Sequence, residues 1–391
     1  MTPAARVQAA IELVDEILGA AREGGAAADT LIARYFKARR YAGSKDRRAV
    51  RELVFRAVRR AGECPQSGRS AMLGLAESDP ILLELFDGSA HAAAPPAAGE
   101  QVAAAGIAPA WLLAGLDPLI GEDELQELLD RAPLDLRANR LKGSREQALA
   151  AFDGAAPTPH SPLGLRLPDP VQVETFDAWR SGLVEVQDEG SQLLCLGCEA
   201  APGMTVVDLC AGAGGKTLAL AAEMENRGRI LASDTNRGRL SRMTPRLERA
   251  GVTIAEPLLL DPSREAVALG GTEADLVLVD APCSGSGTWR RNPETRWRLT
   301  PARLEALLKL QSYLLDVAME LVRPGGHLVY AVCSLLTVEG RGQAEMLTRR
   351  SSLVPVEPVM PAGRAAGSGM LLSPGRDGTD GFFIARWRRP C

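Results

Sequence analysis

The stretch Asp208-Leu-Cys-Ala-Gly-Ala-Gly-Gly-Lys-Thr217 follows the apolar run Thr205-Val-Val-Asp-Leu209 and leads into a helical pattern from Lys216 to Met224. A strand, a glycine-rich turn and a helix bring backbone close to a ligand and turn the free N–H groups of a helix start toward it. Two ligand classes suit such a turn. A P-loop requires G-x-x-x-x-G-K-[ST], and with Gly215-Lys216-Thr217 in place its leading glycine falls on Cys210, which excludes the triphosphate reading. Asp234 ends the next apolar run, Arg229-Ile-Leu-Ala-Ser-Asp234, 22 positions after Gly212. This is near the ~20 positions at which a carboxylate holds a ribose diol, so an adenosine-bearing cofactor without a triphosphate is expected.

Outward from this loop, the pattern predicts a helix over Arg239 to Ala250, a strand Ala274–Asp280, a helix Pro301 to Val322 capped by Thr300, and a strand His327–Val332. Strands alternating with helices indicate an α/β fold with a parallel sheet. Two further motifs carry chemistry, Asp280-Ala-Pro-Cys-Ser-Gly-Ser-Gly-Thr288 and Tyr330-Ala-Val-Cys-Ser334. Each sets a cysteine just past the carboxyl end of a strand, where open α/β sheets bind ligands. If the strands are neighbours, about 4.8 Å apart, both thiols face one crevice. A thiolate beside a cofactor can add to carbon 6 of cytosine and make carbon 5 a nucleophile toward a methyl group. Asp280 would then serve ring N3, and a base must remove the carbon 5 proton.

These three motifs resemble those of RNA cytosine-5 methyltransferases of the Sun/Fmu type, including the branch that modifies small-subunit ribosomal RNA. Gln187-Asp188 with Ser191-Gln192, Arg290-Arg291 with Pro293, and Asp377-Gly-Thr-Asp-Gly-Phe-Phe383 resemble further family positions. The resemblance implies a Rossmann-like S-adenosylmethionine methyltransferase domain at the C-terminus. It implies Cys333 as nucleophile, Cys283 as the cysteine assisting product release, and Asp280 and Lys216 near the target base. The cofactor would lie on Asp208, Cys210, Ala211, Gly212, Gly214, Gly215, Lys216, Asp234, Arg239, Asp261, Asp280 and Pro282. The family often has Ser-Thr before the nucleophile and Glu-Asn after it, where this chain has Ala331-Val332 and Glu339-Gly340. At the other end, Ser44-Lys-Asp-Arg-Arg48 with Glu52-Leu-Val54 resembles the start of the family's NusB-like RNA-binding domain, and the match fades beyond Gly62.

The chain of 391 residues is long enough for two or three domains. Three are expected: a helical domain over 1–130, a small α+β segment over 131–190 and the methyltransferase domain over 191–391. The Ala/Pro-rich Ala92–Gly99 reads as a linker or loop. A net charge of −4 conceals opposed blocks, +9 from Arg34 to Arg69 and −11 from Ala71 to Asp130. The basic block, with Arg47 and Arg48, suits a phosphate-facing surface. Trp289-Arg-Arg-Asn-Pro-Glu-Thr-Arg-Trp-Arg298 interleaves aromatic and basic residues as phosphate contact and base stacking require, so Arg290, Arg291, Arg296 and Trp297 are expected on RNA. Ribosomal RNA is the expected partner. Transfer RNA as substrate, and a non-catalytic RNA-binding assembly factor, are the alternatives, and DNA suits the two-cysteine pattern less well. Seven cysteines in this length read as reduced thiols of a cytoplasmic protein, Cys195 and Cys198 as packing residues with no metal site, and no apolar run suits a membrane span. A monomer is expected.

Overall fold

The computed structural model describes residues 1–391, and the chain divides into two compact units. The first comprises Met1–Leu116, Leu125–Asp130 and Thr288–Arg303. Its four main helices are α1 (Pro3–Glu23), α2 (Ala28–Ala38), α3 (Ser44–Arg60) and α4 (Gly68–Glu77). Thr2 caps α1 by accepting from Ala5 N at 3.2 Å, Pro3 stands at its first position, and Gly24 ends it in the left-handed region at φ 76°. The apolar stripe Val7, Ile11, Val14, Ile17 and Leu18 is buried in one core with Val50, Val54, Ala57 and Val58 of α3 and Met72 of α4.

The Ala/Pro-rich stretch 92–99 is a loop, and it lies within the helical unit. Residues 84–109 are tied to the helices of that unit by hydrogen bonds. Arg60 Nη1 donates to Ala103 O at 2.8 Å, Ala103 N to Ser70 O at 3.0 Å and Gly106 N to Arg60 O at 2.9 Å, while Arg69 pairs with Glu100. Backbone without helix or strand must satisfy its polar groups elsewhere, and here the helices supply the partners.

The second unit comprises Asp117–Glu124, Arg131–Gly287 and Leu304–Cys391. Strands β1 (Leu134–Ala138), β2 (Ala156–Pro157), β3 (Gly164–Leu167) and β4 (Val184–Val186) form an antiparallel sheet in the order β2-β3-β1-β4. It has its own small core, yet it belongs to this unit and is not the separate segment expected over 131–190. The reason is a set of side-chain ties: Asn139 Nδ2 donates to Ala250 O at 2.9 Å, and Glu185 of β4 pairs with Arg246 and Arg249.

The large sheet contains β5 (Thr205–Asp208), β6 (Arg229–Asp234), β7 (Ala255–Leu259), β8 (Ala274–Asp280), β9 (Val322–Val332), β10 (Val354–Val356), β11 (Arg364–Ala366), β12 (Gly369–Leu372) and β13 (Phe382–Arg388). Its order is β11-β12-β13-β9-β8-β5-β6-β7, with β10 on β13. Strands β9-β8-β5-β6-β7 run parallel, and β13 is antiparallel to β9. Val206, Val207 and Leu276–Val279 are buried, as strands covered on both faces require. From β5 the chain goes to β6 on one side and returns through β8 on the other. That reversal opens a crevice beyond the carboxyl ends of β5 and β8. This is the Rossmann-like methyltransferase architecture expected for the C-terminal part. The single helix expected over Arg239 to Ala250 is two, Arg237–Leu240 and Met243–Ala250. Pro245 has no N–H for the Ser241 carbonyl four residues back. No helix is long and apolar enough to cross a membrane.

Candidate active site

The glycine loop after β5 is built from two sides. Ala211 N donates to Ser233 O at 2.8 Å, and Gly212 N donates to Asp234 Oδ2 at 2.8 Å. Gly212 and Gly214 sit at φ 57° and 85°, in the left-handed region open to glycine, and a side chain at Gly212 would run into the Arg239 guanidinium. Asp234 Oδ1 also accepts from Asn236 N at 2.6 Å, so the carboxylate is fixed while each oxygen keeps a second lone pair. Leu260 N donates to Asp234 O at 3.0 Å, which brings exposed Asp261 beside the same strand end. Asp208, Cys210, Ala211, Gly212, Gly214, Gly215, Asp234 and Arg239 are thus grouped around one loop.

Asp208 is fully buried. Its Oδ2 accepts from Thr217 Oγ1 at 2.7 Å and its Oδ1 has no partner. Burial pushes its pKa up to about 7, with Asp280 and Asp234 adding to the rise. A cationic donor reaching Oδ1 would require the ionised form. Affinity for such a ligand should therefore fall about tenfold per pH unit below 7, and binding should release a proton, as calorimetry in two buffers of different ionisation enthalpy would show. Asp208→Asn should bind weakly and lose that dependence. For folding the sign is opposite: a raised folded-state pKa contributes stability at low pH that is lost as pH rises through about 7.

Strands β8 and β9 are paired in parallel with Asp280 opposite Ala331, so the loops after them leave the sheet side by side. The Cys283 and Cys333 sulfurs are 3.4 Å apart, though 50 residues separate them in the chain. The hydrogen bond with Cys333, then burial, pushes the Cys283 thiol well above its ordinary range. Gly287 N donates to Cys333 O at 3.1 Å and Gly381 N to Gly287 O at 2.8 Å. A side chain at Gly287 would strike the Gly381 backbone, and one at Gly381 would strike Gly287, which explains these two glycines. Lys216, from the start of the helix Gly215–Glu223, reaches Asp280 Oδ2 at 2.6 Å. Burial alone would lower the lysine pKa, but the paired Asp280 carboxylate outweighs it and holds the ammonium charged.

Sequence reasoning missed Ser284, Ser286, Ser334, Gln311 and Glu339, which hydrogen-bond around the two cysteine loops. The signals at hand were the serine that follows each cysteine and the match of Glu339 to the glutamate the family often has after its nucleophile. Gln187 and Gln192 hold backbone and Ser191 around the helix Glu189–Gly197, a structural duty. Cys195 on that helix and Cys198 at its C-terminal cap are buried and donate to carbonyls four residues back, Ser191 O and Leu194 O, both at 3.3 Å.

The residues expected on RNA divide. Arg47 and Arg48 are exposed, and Arg47 Nε donates to Ala42 O at 2.9 Å. Arg290, Arg296 and Trp297 are buried, which corrects the expectation for them, and Arg291 is half-buried. Arg296 Nη2 donates to Val58 O, Arg59 O and Ala61 O at 2.6, 3.1 and 2.7 Å, at the end of α3. Trp297 Nε1 donates to Gly62 O at 3.2 Å. Arg303 reaches Ala21 O and Arg22 O at the end of α1, and Glu294 accepts from Ala28 N at the start of α2. Cations at helix C-termini and a carboxylate at an N-terminus match the helix dipoles, so these charges stabilise the helical unit.

Comparison with known proteins agrees with this architecture. The family model for 16S rRNA methyltransferase RsmB/F matches residues 197–388. Ribosomal RNA small subunit methyltransferase B of Enterobacter sp. strain 638 is 33% identical over 285 residues, 71% of this chain and 65% of that protein. The same-named protein of Citrobacter koseri is 35% identical over 291 residues, again 71% and 65%. The matched stretch thus spans just under two thirds of those relatives. The crystal structure of PH0851 matches with TM-score 0.78 and 26% identity, covering 100% of this chain and 99% of that one. A methyltransferase homolog protein from Pyrococcus horikoshii matches with TM-score 0.63 and 26% identity, covering 72% of this chain and 96% of that one. Residues 197–388, which carry the glycine loop and both cysteines, thus form a methyltransferase domain of the RsmB/F family.

Proposed function

We propose that this protein methylates carbon 5 of a cytosine in ribosomal RNA, with S-adenosylmethionine as methyl donor, through a covalent bond to Cys333. The observation that carries this reading is the 3.4 Å approach of two thiols at adjacent strand ends, in the same crevice as the Lys216–Asp280 pair. A methyltransferase acting on an exocyclic amine has no use for a thiol there.

The loop residues fit such a cofactor. The partnerless, buried Asp208 Oδ1 suits an ammonium, the fixed Asp234 carboxylate a ribose diol, and the left-handed glycines a close-lying ligand. When bound, the cofactor supplies an electrophilic methyl group. Cys333 adds to carbon 6 and gives up its proton, which reaches ring N3 through Asp280, steadied by Lys216. The ring electrons shift so that carbon 5 becomes the nucleophilic end of an enamine, and N3 returns the proton to Asp280 when the ring is restored. After transfer, loss of the carbon 5 proton to a base restores the ring double bond and expels the Cys333 sulfur. Cys283, held protonated, donates to that departing sulfur. The test is bisulfite sequencing of ribosomal RNA from cells lacking the gene, with and without complementation. One cytosine should lose its mark and regain it with the wild-type chain but not with Cys333→Ala. Unchanged marks in ribosomal RNA would overturn the substrate assignment.

The helical unit supports RNA contact through a smaller surface than its charge suggests. Arg56 pairs with Asp79 at 2.8 Å, Arg60 with Glu77 at 2.6 Å and Arg69 with Glu100, so the acidic block neutralises part of the basic one. Exposed Arg34, Lys37, Arg40, Lys45 and Arg48 remain. Arg48→Ala should lower the slope of log affinity against log salt by about 1, and Lys45→Ala with it by about twice that. An unchanged slope in RNA titrations at several salt concentrations would remove this face from the interface.

A further inference from the structure

Glu339 is fully buried between the two cysteine loops, seven residues past the end of β9. Its Oε1 accepts from Ser284 N and from Gln311 Nε2, both at 2.9 Å. Its Oε2 accepts from Ser334 Oγ at 2.6 Å and from Ser284 Oγ. Gln311, on the helix Pro301–Leu321, also donates to Pro282 O at 3.0 Å. Tyr330 OH, on β9, donates to Glu339 O at 2.7 Å. The carboxylate therefore grips the residue after each cysteine, Ser284 after Cys283 and Ser334 after Cys333, and through Gln311 the residue before Cys283.

Space-filling alone does not explain a carboxylate here. Removing one from water costs several kcal/mol unless its lone pairs are filled, and an apolar side chain would occupy the volume without that penalty. An ionised carboxylate accepts on both oxygens and donates nothing, which lets it collect donors from two loops and a helix at once. We infer that Glu339 is a positioning residue for methyl transfer: it holds the Pro282–Ser284 and Cys333–Ser334 loops together and so sets the distance between the two thiols. Its oxygens hydrogen-bond neither sulfur. The inference rests on the two-cysteine chemistry proposed above.

The test uses the full-length protein and two readouts. Dibromobimane bridges paired thiols and needs no methyl transfer, so its Cys283–Cys333 cross-link, read by mass spectrometry, reports thiol separation alone. Steady-state methylation gives kcat, the KM for RNA and the dissociation constant for S-adenosylmethionine. Glu339→Gln puts an N–H donor where a donor is already aimed. It should reduce the cross-link and lower kcat about 10²-fold, the loss expected of a roughly 1 Å misplacement, with KM and the cofactor constant within about twofold. Glu339→Asp should restore part of kcat. If Glu339→Gln does not fold, Ser284→Ala with Ser334→Ala removes the hydroxyl donors and should reproduce both losses more weakly. Wild-type cross-linking and kcat would overturn the inference, as would a kcat loss matched by equal loss of cofactor affinity, which marks a general structural role. Turnover by Cys333→Ala would instead overturn the cysteine chemistry, and the cross-link would still report on Glu339.

Discussion

Cys333→Ala should abolish methyl transfer, by at least about 10⁴-fold as for removal of other enzymatic nucleophiles, while Cys283→Ala should accumulate a protein–RNA adduct that survives denaturant. The two thiols are not equivalent. Cys333 follows the last residue of β9, and Cys283 bears a thiol pushed far up by its hydrogen bond to Cys333 and by burial. Without Cys333 no bond to carbon 6 forms. Without Cys283 that bond still forms, but the departing sulfur lacks its donor 3.4 Å away. A denaturing gel with labelled RNA and S-adenosylmethionine separates the variants: a shifted band with Cys283→Ala, none with Cys333→Ala. Full turnover by Cys333→Ala would end the mechanism.

Arg296→Met should destabilise the helical unit by about 3–5 kcal/mol, because three backbone carbonyls at the end of α3 lose their shared donor inside the protein. Against a total of roughly 5–15 kcal/mol for a domain, that is a large fraction. Urea unfolding followed by circular dichroism should show an early transition in the variant. The salt dependence of RNA binding by its folded fraction should match the wild type. A stable variant with a reduced salt slope would return Arg296 to the RNA surface that its sequence context suggested.

The two readings of arginine show why some of the site was legible and some was not. The glycine loop, Asp234 and the paired cysteines were readable because their meaning lies in short spacings. A strand must precede the loop, a helix must follow it, and a cysteine must stand just past a strand end. Charge carries no such local grammar. Arg48 and Arg296 both lie in basic stretches, yet one is exposed and the other is fully buried against helix carbonyls. The basic block likewise looked uniform until Asp79, Glu77 and Glu100 were found on its arginines. The Ala/Pro stretch is a loop, as its composition indicates, but composition does not record the hydrogen bonds that tie the residues around it to the neighbouring helices.

Sequence by itself determined the strand-loop-helix unit and the alternation that builds the parallel sheet, and it set Cys283 and Cys333 just past two strand ends, whereas Lys216 joined them only through the family resemblance. Periodicity and backbone preference act over a few residues, so they can be read in order along the chain. Tertiary structure decided which charges meet carbonyls and which stay exposed, and it alone brought Glu339 to Ser284 across 55 residues. Hydrogen-bond partners inside a fold are chosen by proximity in space, and proximity at such separations is set by strand order rather than by spacing.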